Sequence, residues 1–184
     1  MRLTARLAIF TALLLTVTRP LGAQAPEGLM GDLLRDLEQV EKKIVGLAKA
    51  MPASAFEWRP GEGVRSTSET VKHVAADNYF IPAVFGIAAP AETGITKEYN
   101  TTAAFEKRAM PRDQAIAELE KSFAFLKQSM TSFPGAKLDA SLDAFGEKMT
   151  NRALWIATIT HLHEHLGQLI AYARSNKVTP PWSK

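Results

Sequence analysis

From Met30 to Met51 the residues Met30, Leu33, Leu37, Val40, Ile44, Leu47 and Met51 follow one another at intervals that alternate three and four without a fault. Such a spacing forms one continuous apolar stripe only on an α-helix that packs lengthwise against other helices, and Pro52 ends it. The same alternation returns in Ile116, Leu119, Phe123, Leu126, Met130 and Phe133. That helix opens with Pro111 in its first turn and Asp113 near its positive end, and Pro134-Gly135 stop it. Two more helices are expected, one between these two and one after them. One begins at Ser66-Thr67-Ser68-Glu69, a capping box, and runs to about Phe85 with Pro82 near its end. The other begins after Thr150 or Asn151 and runs to about Arg174, with Asn176 as a left-handed stop. No strand pattern of useful length is found. The expected fold is all-α, a four-helix bundle.

The links between helices add to this. Residues 52–65 hold Phe56, Trp58, Pro60, Gly61 and Gly63, an aromatic loop expected to pack onto the bundle. Residues 86–110 are long enough to run the length of a bundle, which predicts a crossover between helices two and three.

The first residues read differently. Arg2 and Arg6 precede a mostly apolar run from Leu7 to Val17, then Pro20, Gly22 and the small residues Ala23 and Ala25. This is the layout of a secretory signal peptide, with cleavage expected after Ala23 or Ala25. The run is shorter than the roughly 20 residues of a membrane span. Residues 1–23 are therefore assigned to a leader and 26–184 to one bundle domain, with a periplasmic or secreted bacterial location and no stable membrane insertion after cleavage.

Charge and cysteine content exclude several classes. The chain of 184 residues has 22 Lys plus Arg against 19 Asp plus Glu. Arg2, Arg6 and Arg19 lie in the leader, which has no acidic residue, so the remainder is formally neutral. The pairs Lys42-Lys43 and Lys107-Arg108 are too short for a binding patch and are read as solvated. No nucleic-acid partner is expected. The chain has no Cys, which excludes disulfides, Cys-based zinc fingers, Cys-ligated iron–sulfur clusters and a lipid anchor.

The chemistry lies in the histidines. Three of the four fall in Thr160-His161-Leu162-His163-Glu164-His165-Leu166-Gly167-Gln168. On a helix, His161 and His165 are about 40° apart around the axis and project side by side, whereas His163 points about 200° from His161. His73 lies half-way along the second helix, on a stripe with Thr70, Asp77 and Val84. Two His on one helix and one on a facing helix is how bundles build interior metal sites. Imidazoles suit zinc, nickel, copper or iron, and three of them leave a place for water. Hydrogen-bonded structural histidines are the alternative reading.

The chain also resembles the DinB-like family of metal-binding four-helix bundles, from about Met30 to Ser183. Phe56-Glu57-Trp58-Arg59-Pro60 is similar to the family's f-x-w-r-P loop, and Ser66 to His73 to its S-x-x-E-x-x-x-H start of the second helix. His161-x-x-x-His165-x-Gly167-Gln168, followed by Tyr172 and Arg174, is similar to its fourth-helix motif, and Pro180-Pro181-Trp182 to its tail. The resemblance implies a metal triad of His73, His161 and His165, holding a divalent transition metal, with zinc or nickel favoured and iron an option. It also implies either metal-dependent chemistry or no activity, since the family includes thiol S-transferases, proposed hydrolases and members without known turnover. A thiol transferase suits an exported protein poorly, because small thiols are mainly cytosolic.

The expected function is thus a metal-dependent hydrolase or transferase on an unknown small molecule; the alternative is a non-catalytic metal- or ligand-binding bundle. Asp77, one turn beyond His73, is the candidate catalytic base, while Glu164 is expected to face solvent or a neighbouring helix. Gln168 is read as a partner of a ligand His or as part of a Gly-Gln pair that permits close helix packing. Trp58, Trp155 and Trp182 are read as packing anchors. Metal identity, substrate and oligomeric state are left open by the sequence.

Overall fold

The computed structural model describes residues 27–183, so the expected leader lies outside the described residues. In chain order the elements are α1 (Gly28–Ala50), α2 (Ala53–Phe56), α3 (Thr67–Val84), α4 (Asn100–Glu106), α5 (Arg112–Ser132), β1 (Ser141–Ala144), β2 (Glu147–Thr150) and α6 (Asn151–Ser175). The four long helices form the bundle. Leu37, Val40, Ile44 and Leu47 of α1 are fully buried, as are Leu119, Phe123, Leu126 and Met130 of α5. Both stripes have the three-four spacing of the sequence, and removing them from water drives the helices together.

Local signals set the ends. Ser66 Oγ accepts from Glu69 N–H at 3.1 Å and Glu69 Oε2 accepts from Ser66 N–H at 2.7 Å, a complete capping box for α3. That acceptance, with the Arg59 guanidinium beside it, lowers the Glu69 carboxyl below its ordinary range. Thr150 Oγ1 caps α6 by accepting from Ala153 N–H. Two ends differ from the sequence reading. Pro111 is the residue before α5 rather than inside its first turn. Asn176 has φ −94°, and the left-handed residue after α6 is Lys177, φ 59°.

Contacts along the helices give their directions. Lys72 near the start of α3 reaches the Arg108 carbonyl just before α5, mid-helix Asn78 bonds Ser122, and the Phe85 and Phe133 rings meet beyond the far ends. Thus α3 and α5 run parallel. Glu41 pairs with Lys127, Lys49 with Glu120, and the Met51 carbonyl with Arg112, so α1 is antiparallel to α5. His73 meets His161 and His165 while Phe85 stacks on Trp155, so α3 is antiparallel to α6. Two parallel helices in sequence need a connection that returns along the bundle, and residues 85–111 supply it.

The crossover is not structureless. It contains a 3₁₀ turn at Ala91–Thr93 and helix α4. Arg108, read from the sequence as solvated, instead ties these together by donating to the Glu92 carbonyl at 3.1 Å and the Thr93 carbonyl at 2.5 Å. The expectation of no strands is corrected too. Ser141–Ala144 and Glu147–Thr150 pair antiparallel around a two-residue loop, Phe145-Gly146. Four residues per strand are the least that can display a period of two, and Glu147-Lys148-Met149-Thr150 does not alternate. No helix of the described residues is long and apolar enough to cross a membrane.

The capping box stabilises the start of the helix that carries His73. Ser66→Ala is expected to lower stability by about 1 kcal/mol and the melting temperature by about 2–4 °C, read from thermal unfolding by circular dichroism.

Candidate metal centre

His73 projects from α3 toward His161 and His165 on α6. The three rings stand nearly perpendicular to one another, with centroids 4.4 Å apart for His161–His165, 4.8 Å for His73–His165 and 5.4 Å for His73–His161. One nitrogen from each lies within 4.8 Å of the others. Two nitrogens each about 2.1 Å from a zinc-sized ion are at most about 4.2 Å apart, so small side-chain rotations close the set on an ion. His163 points elsewhere and meets Asp36 at 2.9 Å on the surface. Glu164 is exposed.

Which nitrogen of His165 carries the proton follows from a chain of hydrogen bonds. The Arg65 carbonyl can only accept, so the Tyr172 hydroxyl donates to it at 3.0 Å. That hydroxyl then accepts from Gln168 Nε2 at 2.7 Å, which turns Gln168 Oε1 toward His165 Nδ1 at 2.9 Å. Nδ1 must donate, and Nε2 of the neutral ring is left with its lone pair. His73 is oriented in the same way from the crossover: its Nδ1–H donates to Glu106 Oε1 at 2.8 Å, freeing Nε2 toward the centre. Hydrogen-bonded partners of this kind fix the tautomer and raise the basicity of metal-ligating histidines. Trp58 packs edge-on against Tyr172, with centroids 5.4 Å apart, and holds the far end of the relay.

Two carboxylates flank His73 and are driven in opposite directions. Burial acts on Glu106, yet the hydrogen bond from His73 and the nearby Arg65 guanidinium, 3.4 Å away, leave its pKa lowered. Asp77 lies with Oδ2 3.2 Å from His73 Nε2 and 3.7 Å from His161 Nδ1. It has no comparable donor, and burial pushes it up to about 6. Burial, with the neighbouring histidines, pushes His161 down to about 4 and lowers His165. Neutral imidazoles, with one ring nitrogen free of its proton, are what a metal ion requires.

A cavity of about 370 Å³ opens beside this group. His73, Asp77, His161 and Arg65 line one part of it, and Phe80, Tyr99, Phe145, Leu154 and Leu162 line another. None of the three tryptophans lines it; Trp155 is fully buried, and Trp182 is partly exposed. Gly167 has open space where a Cβ would stand, so close helix packing does not require it. Sequence reading missed Glu106, Arg65, Tyr99 and Phe145. The first three lie in connections without a periodic pattern, and the fourth in the unexpected hairpin.

The DinB superfamily model matches residues 36–169. The chain belongs to the DinB superfamily. Solved structures agree with the fold. A DinB-like protein of Bacillus subtilis is similar with a TM-score of 0.62 at 19% identity, over 80% of this chain and 93% of that one. A DinB-like protein of Bacillus cereus is similar with a TM-score of 0.64 at 16% identity, over 85% of this chain and 97% of that one. No curated protein matches the chain.

Gln168→Leu keeps the bulk of the side chain but leaves His165 Nδ1 without its acceptor. Metal affinity is expected to fall about 10- to 100-fold, measured by competition with a chromophoric chelator. A second expectation concerns the metal-free protein. His161 stays neutral in the fold down to about pH 4, while the unfolded chain protonates it from 6.5, so stability falls as pH drops across that window. Asp77 acts with the opposite sign: raised from 3.8 to about 6, it holds a proton in the fold where the unfolded chain has lost it. Asp77→Asn removes that opposing contribution, and the loss in urea midpoint between pH 6 and pH 4 should be larger than in the wild type.

Proposed function

We propose that this DinB superfamily member binds a divalent transition metal, zinc or nickel in preference and iron as an option, through His73, His161 and His165, and hydrolyses a small molecule. The observation that carries the reading is the cavity, which reaches His73, His161 and Asp77 together. An enzyme's metal keeps a coordination place open toward such a space, whereas a structural site closes it with a fourth protein ligand. A divalent ion on three neutral imidazoles acidifies water and polarises an acyl or phosphoryl oxygen.

The chain's own groups do the rest. Glu106 and Gln168 hold His73 and His165 with Nε2 directed inward. Asp77, which lines the cavity with its Oδ2 3.2 Å from His73 Nε2, is placed to accept a proton from a molecule bound there, the position a general base needs. The apolar wall beside these groups lowers the local polarity and so strengthens the electrostatics at its edge. A second reading, a non-catalytic metal- or ligand-binding bundle, is favoured by one distance: Asp77 Oδ2 lies 3.2 Å from His73 Nε2, near enough to serve as a closing ligand.

Residues 1–23 are proposed to direct export, with the mature protein in the periplasm or secreted and its partner a small molecule rather than nucleic acid. Recovery of the chain from the periplasm with its N-terminus at Gln24 or Pro26 supports export, and an intact Met1 in the cytoplasm refutes it.

Elemental analysis of the untagged protein is expected to give about one transition metal per chain, lost in the His73→Ala, His161→Ala double variant. Asp77→Asn separates the two readings. As a base, Asp77 is dispensable for metal content, while turnover of a responsive ester or amide falls by about 100- to 10,000-fold. As a fourth ligand, it is required for metal retention. A chain that neither contains nor takes up metal refutes the hydrolase and leaves only the ligand-binding form of the second reading.

A further inference from the structure

The cavity is chemically two-ended, and its apolar end carries two rings that a bundle would ordinarily not leave uncovered. Tyr99, from the crossover, is 59% exposed, and Phe145, at the tip of the β1–β2 hairpin, is 60% exposed. They meet over Phe80 of α3, with centroids 5.6 Å apart for Phe80–Tyr99, 6.0 Å for Phe80–Phe145 and 6.3 Å for Tyr99–Phe145. Three elements distant in sequence thus build one aromatic wall, and that wall belongs to the same cavity as His73, Asp77 and His161.

Phe145 stands there at a cost. Its φ is +54° and that of Gly146 is +81°, the left-handed pair that a two-residue type I′ hairpin loop requires. Asn-Gly is the favoured pair at such a loop, and a bulky residue at its first position is strained. Two exposed rings, one of them on a strained backbone, do little for the core. They present flat apolar faces to whatever enters the cavity.

We propose that Phe80, Tyr99 and Phe145 form an aryl-binding subsite, and that the metal centre's ligand is a small molecule with an aromatic body joined to an oxygen-bearing, metal-ligating head. This rests on the metal reading given above. The cavity of about 370 Å³ is of small-molecule size. Its apolar wall offers stacking and edge contacts to an aromatic ring, while the head lies among His73, His161 and Asp77.

The test uses calorimetric titration of the zinc-loaded chain with acetohydroxamate and with 3-phenylpropanohydroxamate, which share a chelating head and differ in the aryl group. The aryl compound is expected to bind roughly tenfold tighter. Tyr99→Ala, Phe145→Ala should abolish that advantage while leaving zinc content and acetohydroxamate affinity unchanged. Equal affinities in the wild type, or an advantage that survives in the double variant, overturn the subsite. Phe145→Asn should raise the melting temperature by about 2–4 °C, because it restores the favoured turn, and weaken only the aryl compound. Wild-type aryl affinity in that variant removes Phe145 from the site.

Binding of 4-fluorobenzyl alcohol, followed by the width of its fluorine resonance, separates this idea from the metal reading, since the alcohol carries the ring without a chelating head. Broadening by the metal-free wild type but not by the double variant supports the subsite even if no zinc is taken up. Equal broadening by both, or none by either, overturns it. A sedimentation coefficient that falls in the double variant assigns the rings to contact between copies and also overturns it.

Discussion

The Arg65 carbonyl has no proton to give, and the arrangement of the candidate metal centre starts from that fact. Every group down the line from it, Tyr172, Gln168 and His165, is left with one workable orientation. The relay therefore does more than hold a ring in place. It decides that His165 keeps its lone pair on Nε2, the nitrogen that faces His161 Nε2 at 3.0 Å. Arg65 acts at both of its ends, because its guanidinium also approaches the Glu106 carboxylate that orients His73. One residue at the mouth of α3 thus touches the partner of His73 directly and reaches that of His165 through Tyr172.

The parallel pairing of α3 with α5 is the second constraint. It obliges the chain to return along the bundle, and the return carries Tyr99 and Glu106. Glu106 reaches the protected side of His73 at Nδ1, while Tyr99 lines the cavity with His73, Asp77 and His161. A bundle with only short antiparallel links would have no backbone in either place. The length of the crossover is part of the site because it spans both.

Sequence patterns revealed what repeats. The α1 and α5 stripes, the Ser66–Glu69 box and the i,i+4 spacing of His161 and His165 are periodic or strictly local, so they are legible without coordinates. Helical spacing likewise put His73 on one stripe with Thr70, Asp77 and Val84. Glu106 was not legible because its contact with His73 spans 33 positions and depends on where the crossover lands. The hairpin was missed because its strands are four residues long and its turn holds Phe where Asn would announce it. Arg108 looked like half of a solvated basic pair. Its role as a clamp on the Glu92 and Thr93 carbonyls is visible only once the 3₁₀ turn is formed.

His73 also shows how one fold separates two carboxylates by surroundings alone. Glu106 and Asp77 both lie within hydrogen-bond range of its ring, one at each nitrogen. Glu106 receives the Nδ1 proton and stands beside a guanidinium, so its charge is compensated and its pKa is lowered. Asp77 faces the nitrogen that has no proton in the neutral ring, has no guanidinium within bonding distance, and is buried; its pKa rises to about 6. Opposite shifts in neighbouring acids mark different tasks. Glu106 is suited to hold the His73 ring by remaining ionised, whereas Asp77 in the metal-free chain keeps its proton to a higher pH. If the two were exchanged, the ring would lose its fixed tautomer and the cavity its titrating group, so the asymmetry around a single imidazole is what makes the metal reading a chemical one as well as a geometric one.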